Sequence, residues 1–327
     1  MDPVEYILRK FSFVRGLERS IRRLEQSVRD LEASRERLES ENKAIRAEWE
    51  KWTRFSPLGH FYSPVPSPNE VEAAFARGGN GPPFPGVDLN ADTQFAILKE
   101  LAAFYGELPF PKEKTAGHRY YLANDSYGPY DVCVLYGMMR RLQPRRIVEV
   151  GCGHSSAALL DANDASFGGR IELTFIDPDL ARLRCLLLPG EVSPATLIEK
   201  PVQDVPNHVF GALASGDILL IDSSHVSKVG SDVNHLFFKV LPALKPGVWV
   251  HIHDVTGNLE YPRGWFDEGR AWNELYMLRA FLMYNRAFRV MFSSAQMYNE
   301  HRDFLRETMP MCAAGGGGQL WLRRDSG

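Results

Sequence analysis

Cysteine is scarce: Cys133, Cys152, Cys185 and Cys312 are the only four, and no two form a C-x-x-C pair. That spacing excludes a cysteine zinc cluster and a disulfide framework, and it fits a reducing compartment. Surplus charge is also missing. The 38 Lys and Arg against 41 Asp and Glu leave a net charge of −3, so no global field attracts nucleic acid or an anionic membrane. No run reaches the roughly 18 apolar residues of a membrane span, and no apolar leader opens the chain. The expectation is a soluble, cytoplasmic protein with no secretory signal, no transmembrane segment and no nucleic-acid partner. Apolar surface is plentiful, at 44% hydrophobic and 11% aromatic residues, enough for one catalytic domain and a smaller appendage.

The appendage comes first. Taking Ile21, Val28, Arg35, Asn42 and Trp49 as a positions places Leu24, Leu31, Leu38, Ile45 and Trp52 at d. This is the heptad seam of a coiled coil, and branched residues at a with leucine at d and one Asn at a favour a parallel dimer over a trimer. A single helix lying on its own domain is the alternative. Residues 53–89 cannot continue a helix, because they carry Pro64, Pro66, Pro68, Pro82, Pro83 and the run Gly78-Gly79-Asn80-Gly81. They are read as a linker between a coiled coil at 1–52 and a catalytic domain at 90–327. Helical spacing resumes at Ile97, Leu98, Leu101 and Phe104, with Asn90 as N-cap.

From about residue 146, short apolar runs alternate with helix-length intervals: Ile147–Val150, Glu172–Ile176, Thr196–Glu199, Ile218–Ile221, Val248–Ile252, Arg289–Phe292 and Gln319–Leu322. Seven strands so spaced predict an α/β fold with a doubly wound, Rossmann-like and mostly parallel sheet. Gly315–Gly318, just before the last strand, reads as a tight turn.

The first strand runs into Glu149-Val150-Gly151-Cys152-Gly153-His154-Ser155-Ser156. Gly151 and Gly153 let the backbone turn sharply and approach a ligand at the carboxyl edge of the sheet, although a plain strand-to-helix turn uses the same residues. One βαβ unit later, Asp177 ends the second strand, where a carboxylate can accept both ribose hydroxyls; with Pro178 after it, Asp177 could equally cap a helix. An NAD-dependent oxidoreductase would share this pattern. Two details favour a methyl donor instead. Glu149 suits a ligand ammonium and not a pyrophosphate, and Ser155, counted here with the cofactor loop, and Ser156 stand where a third glycine would be.

With these motifs the chain resembles class I S-adenosylmethionine-dependent methyltransferases, and especially bacterial members of methyltransferase domain family 24. The resemblance covers roughly residues 53–324 and runs through E-V-G-C-G-H-S-S, L-T-F-I-D-P, I-E-K-P-V-Q-D-V-P, D-I-L-L-I-D-S-S-H-V and H-I-H-D-V. It implies S-adenosyl-L-methionine as cofactor, with Gly151 and Gly153 under its methionyl part, Glu149 near its amino end, Asp177 on the ribose and Gln203-Asp204 beside the adenine. It also implies that the last strand is antiparallel to the rest.

Methyl transfer from a sulfonium is an in-line displacement, so the protein supplies alignment and removal of the acceptor's proton. Asp222 and His225 follow the fourth strand, and His253 and Asp254 follow the fifth, all at the expected cofactor edge. An imidazole with an ordinary pKa near 6.5 accepts a proton at neutral pH, which makes His225 the first candidate for general base toward a hydroxyl, with His253 second. Related catechol-type enzymes carry a lysine at the position of His225. Asp222 is counted with the cofactor site as well as with catalysis, and Asp222 and Asp254 together are candidate ligands for Mg²⁺. Val255 stands where metal-dependent relatives place a third ligand, which leaves the metal requirement open. Arg270 and Trp272 are substrate candidates, since aromatics with arginine near a glycine suit a wall over a small molecule or glycan acceptor. A coiled-coil assembly module with a non-catalytic α/β domain is the remaining alternative.

Overall fold

The computed structural model describes residues 3–78, 84–191 and 195–326, and divides the chain into two compact units, Met1–Glu70 and Val71–Gly327. Gly79, Asn80, Gly81, Pro82 and Pro83 of the linker reading, and the side chain of Trp52, lie outside the described residues. The first unit is dominated by α1, Pro3–Thr53, an uninterrupted helix of 51 residues. Its seam is uncovered: Ile21, Leu24, Val28, Leu31, Leu38, Ile45 and Trp49 are each about half exposed or more. Side chains at the next turn support the helix locally, with Arg35 3.4 Å from Glu39 and Lys51 2.6 Å from Glu48. The stretch 53–89, read as a linker that cannot continue a helix, contains a short helix, α2 (Pro68–Ala76), which starts at a proline. None of the described helices is long and apolar enough to cross a membrane.

The second unit is built on a seven-stranded mixed sheet in the order β3-β2-β1-β4-β5-β7-β6. Its strands are β1 Arg146–Val150, β2 Glu172–Ile176, β3 Thr196–Ile198, β4 Ile218–Ile221, β5 Trp249–Ile252, β6 Phe288–Ser293 and β7 Leu320–Arg324. The first five pair in parallel, while β7 inserts antiparallel between β5 and β6. The last strand therefore runs against the rest, and every expected strand is present with ends shifted by at most two residues.

β4 and β5 are buried along their whole length, as strands covered on both faces must be, and alternation sorts their side chains into two cores. Ile147, Ile218, Leu220 and Trp249 pack with the helices α3 (Ala91–Ala102), α4 (Pro129–Leu142) and α5 (His154–Ala162). Val148, Val150, Leu219, Ile221, Val250 and Ile252 face the opposite way and meet Leu236, Leu241, Leu275 and Leu278. Pro129 starts α4 at a position where its missing N–H costs nothing, and Gln143 ends it in a left-handed conformation.

Asn90 occupies the N-cap position of α3 as expected, but its side chain makes no bond to a helix N–H. It sits at φ 54°, its amide donates to the Val290 carbonyl of β6 at 3.1 Å, and its oxygen accepts from Thr93 Oγ1 at 2.8 Å. The side chain is taken up by a neighbouring strand. The Gly315–Gly318 run packs onto α4, with the Gly318 N–H donating to Asp131 Oδ1 at 3.0 Å.

Candidate active site

Strand order reverses between β1 and β4, leaving a crevice at their carboxyl ends where neighbouring crossovers go to opposite faces. A cavity of about 670 Å³ opens there. Of the residues singled out in the sequence, Gly151, Gly153, Ser155, Asp177, Asp222, His225, His253, Asp254, Arg270 and Trp272 line it. Three others do not. Glu149 is fully buried beneath the loop, and Gln203 and Asp204 lie on the turn after β3, where Gln203 donates to the Gly230 carbonyl and Asp204 is exposed.

The Gly151 turn leaves no room for a side chain. Its φ is 86°, and a Cβ there would sit 1.8 Å from the Asp222 carbonyl oxygen. Backbone bonds tie this loop to its neighbours: the Gly151 N–H donates to Ile176 O, and the Asp222 N–H to Val150 O. Asp177 accepts from the Cys152 N–H at 2.8 Å and from the Asp179 N–H at 2.8 Å, so its carboxylate is already braced at the rim. Below, Glu149 accepts from the Ser156 hydroxyl through Oε2, while its buried Oε1 has no partner. Burial pushes the Glu149 carboxyl up to about 8, only partly offset by the Ser155 and Ser156 hydroxyls. The unsatisfied oxygen under a cramped glycine loop fits a cofactor with a cationic amino end.

On the other wall, β4 and β5 deliver Asp222, His225, His253 and Asp254. Two of these, His225 at φ 59° and Asp254 at φ 57°, hold the left-handed backbone that non-glycine residues avoid, at a cost of about 1 kcal/mol or more each. That conformation turns both side chains back over the strand ends. His225 Nε2 lies 3.3 Å from Asp222 Oδ1 and 3.3 Å from Asp254 Oδ2. Its Nδ1 bonds Glu274 Oε2 at 2.8 Å, and Glu274, just 2% exposed, also accepts from the Ser223 hydroxyl. Burial works against the imidazolium, but bonds to Asp222 and Glu274 outweigh it and hold the His225 pKa up to about 10. The Trp272 ring covers His225 at a centroid distance of 4.3 Å.

His253 enters from the opposite side, its Nδ1 3.7 Å from Asp222 and 3.6 Å from Asp254, buried and without a hydrogen bond. It stacks on Tyr127 at 5.2 Å and faces Asp131 at 3.9 Å. Ligand atoms of Asp222, His225 and Asp254 all fall within 4.8 Å of one another, a spacing that suits a cation. Over the mouth, the Arg270 guanidinium packs on both the Trp265 and Trp272 rings at 5.0 and 4.9 Å, the two rings themselves being 5.0 Å apart, and pairs with Glu268 at 2.7 Å.

Several site residues carried no signal in the sequence. Asp125, Ser126 and Tyr127 reach the cavity from the loop before α4, and Arg182 from the short helix Ala181–Arg184 after β2. The loop is anchored remotely: Arg119, 5% exposed, binds Asp161 at 2.8 Å, Asp164 at 2.9 Å and Glu191, while Tyr120 Oη donates to the Tyr127 carbonyl at 2.6 Å. Glu274 was visible as a residue, but its bond to a histidine 49 positions earlier was not.

Residues 148–255 match the family model described as Methyltransferase domain. An uncharacterized protein of Archaeoglobus fulgidus is 32% identical over 167 residues, which is 48% of this chain and 73% of that protein. Among solved structures, SAH-bound PaMTH1, a methyltransferase of Podospora anserina, is 14% identical, with 79% of this chain and 95% of that one covered at a TM-score of 0.38. The O-methyltransferase TomG of Streptomyces achromogenes, involved in tomaymycin synthesis and solved with SAM, is 17% identical, with 71% and 90% covered at a TM-score of 0.36. Likenesses at these scores bear on neither acceptor nor mechanism here.

Proposed function

This chain is a class I S-adenosylmethionine-dependent methyltransferase of methyltransferase domain family 24, and we propose that it methylates a hydroxyl of a small molecule or glycan with His225 as proton acceptor. The observation that carries the proposal is the fixed His225 ring. Glu274 holds Nδ1 at 2.8 Å, so Nε2 is the nitrogen left to face Asp222, Asp254 and the cavity. A buried carboxylate behind an imidazole fixes its orientation and stabilises the cation formed when it takes a proton. Bound cofactor supplies an electrophilic methyl group. Asp177 and the Gly151–Gly153 turn bind and align, Asp222 lies between the loop and His225, and Trp265, Arg270 and Trp272 wall the acceptor side. At about 10 the pKa of His225 is not the ordinary value expected from the sequence, and the ring is protonated at neutral pH in the cofactor-free protein; proton acceptance therefore requires the positive charge of bound S-adenosylmethionine to lower it.

A second reading rests on the donor set. Asp222, His225 and Asp254 fit one divalent cation, with the unpartnered His253 Nδ1 as a fourth donor, whereas Val255 offers none. Two imidazoles beside two carboxylates suit a borderline transition metal better than Mg²⁺. Such an ion would lower the acceptor hydroxyl's pKa, and His225 would then be a ligand. Turnover of S-adenosylmethionine with a panel of hydroxyl acceptors, before and after chelation, separates the two. Chelator-insensitive activity lost in His225→Ala supports the base; activity abolished by chelation and restored by metal supports the ligand; no transfer to any hydroxyl acceptor counts against both.

The same proposal includes self-association of residues 1–52 as a parallel dimer, followed by a linker at 53–89 and the catalytic domain at 90–327. In parallel register, Ser20, Ser27 and Ser34 at g face Glu25, Glu32 and Glu39 at e of the partner, and Glu41 faces Arg46. An antiparallel pair would set the e-position glutamates against each other. Light scattering tests this: the full chain should have the mass of two chains, and Leu24→Glu with Leu31→Glu should reduce it to one.

A further inference from the structure

The edge of the sheet opposite the cofactor crevice carries a concentration of positive charge that methyl transfer does not use. There β5 and β6 begin and β7 ends, with Trp249 opposite Arg323, Arg289 opposite Arg323 and Phe288 opposite Arg324. A cavity of about 730 Å³ opens at this edge, lined by Arg141, Arg286, Arg289, Arg323 and Arg324. Among the described residues, Asp325 is the one carboxylate that lines it, in a chain whose formal charge is −3.

Asp325 is shared between Arg323 at 2.7 Å and Arg289 at 3.3 Å, while Arg141, on the cavity wall, lies over the Trp249 ring at 5.4 Å and pairs at 2.7 Å with Glu100, which does not line the cavity. Arg324 donates through Nη1 to the Ala287 carbonyl at 3.2 Å, but its Nε is buried with no hydrogen-bond partner. A buried guanidinium donor without an acceptor is costly unless something fills the place. Arg286 is exposed and has no carboxylate partner among the described residues. Next to this cavity lies a hollow of about 460 Å³ that shares Arg286 and Arg289 and is walled by Tyr284, Phe288 and Val290.

We propose that this amino-edge cavity is a second binding site, for an organic phosphate or diphosphate whose anionic group meets the arginines and whose remaining part lies along the Tyr284 hollow. One carboxylate ligand would satisfy one planar fork, whereas five guanidiniums around one cavity match the several acceptor oxygens of a phosphate group. The apolar and aromatic wall beside Arg286 and Arg289 is what a bare inorganic ion would leave unused. The ligand chemistry is common to soluble organic phosphates and to phospholipid headgroups.

Calorimetry on the full chain with inorganic pyrophosphate, backed by sedimentation with phosphatidylcholine vesicles containing phosphatidic acid, tests the site. Arg286→Ala with Arg289→Ala changes two exposed side chains, and unchanged binding of S-adenosylhomocysteine verifies that the variant is folded. Saturable pyrophosphate binding, weakened about tenfold or more in the double variant, is expected. Vesicle binding lost in the same variant would assign the site to a headgroup, and its absence beside pyrophosphate binding to a soluble ligand. Absence of binding in both arms, or binding that survives the double substitution, overturns the proposal.

Discussion

Glu274 and His225 form a buried pair, Oε2 to Nδ1 at 2.8 Å, that joins the start of the helix Glu274–Leu282 to the turn after β4. The His225 carbonyl also accepts from the Asn273 and Glu274 N–H groups at 3.0 and 3.1 Å, so backbone and side chain are fixed together.

Glu274→Gln should therefore lower kcat by about 10- to 100-fold while leaving KM for S-adenosylmethionine unchanged. Glu274 acts through His225 and lies outside the cavity wall. Steady-state kinetics with a shifted pH profile would identify a positioning role; equal loss of kcat and cofactor affinity would point to general collapse of the site.

Gly151→Ala should abolish cofactor binding. The new Cβ would meet the Asp222 carbonyl oxygen at 1.8 Å on a backbone of φ 86°, and neither partner is a flexible side-chain end. Calorimetry with S-adenosylhomocysteine reads the loss. Gly153→Ala should be milder, because its nearest contact is Arg182 Cδ at 3.1 Å, a movable side chain.

Stability of the cofactor-free, chelator-treated protein should decline as pH rises from about 7 to about 10. For His225, the bonds to Asp222 and Glu274 overcome burial and raise the folded pKa from 6.5 to about 10. Its stabilisation is complete below the unfolded value and lost as pH rises through the folded one. Glu149, raised by burial from 4.5 to about 8, has the same sign over a lower window. Calorimetric melting should show the fall, and His225→Asn should flatten its alkaline part; a melting temperature that rises across this range would contradict both assignments.

Arg119→Met should cost about 3–5 kcal/mol by stranding the Asp161, Asp164 and Glu191 carboxylates. Since Tyr120 Oη holds the Tyr127 carbonyl, the loop that brings Asp125–Tyr127 to the cavity should loosen as well. Denaturant unfolding measures the first effect, and amide exchange at residues 120–127 the second.

Local pattern determined much of this protein. Alternating short apolar runs specified seven strands because a parallel sheet buries both faces, and Gly-x-Gly after β1 with Asp177 after β2 pointed to the edge where the cavity opens because only glycine tolerates the Gly151 backbone. The helix α1 was equally legible, since helical periodicity needs no tertiary context. Tertiary structure decided the rest. Asn90 kept its N-cap position but sent its amide to the Val290 carbonyl, Glu149 fell beneath the loop instead of on the cavity wall, and Gln203 turned to Gly230. The Glu274–His225 bond, the approach of His253 to Asp222, and the meeting of Arg141, Arg289 and Arg323 at one edge join residues far apart in the chain. Their partners are set by strand order and left-handed turns, and sequence spacing carries no information about which distant carboxylate will meet which ring.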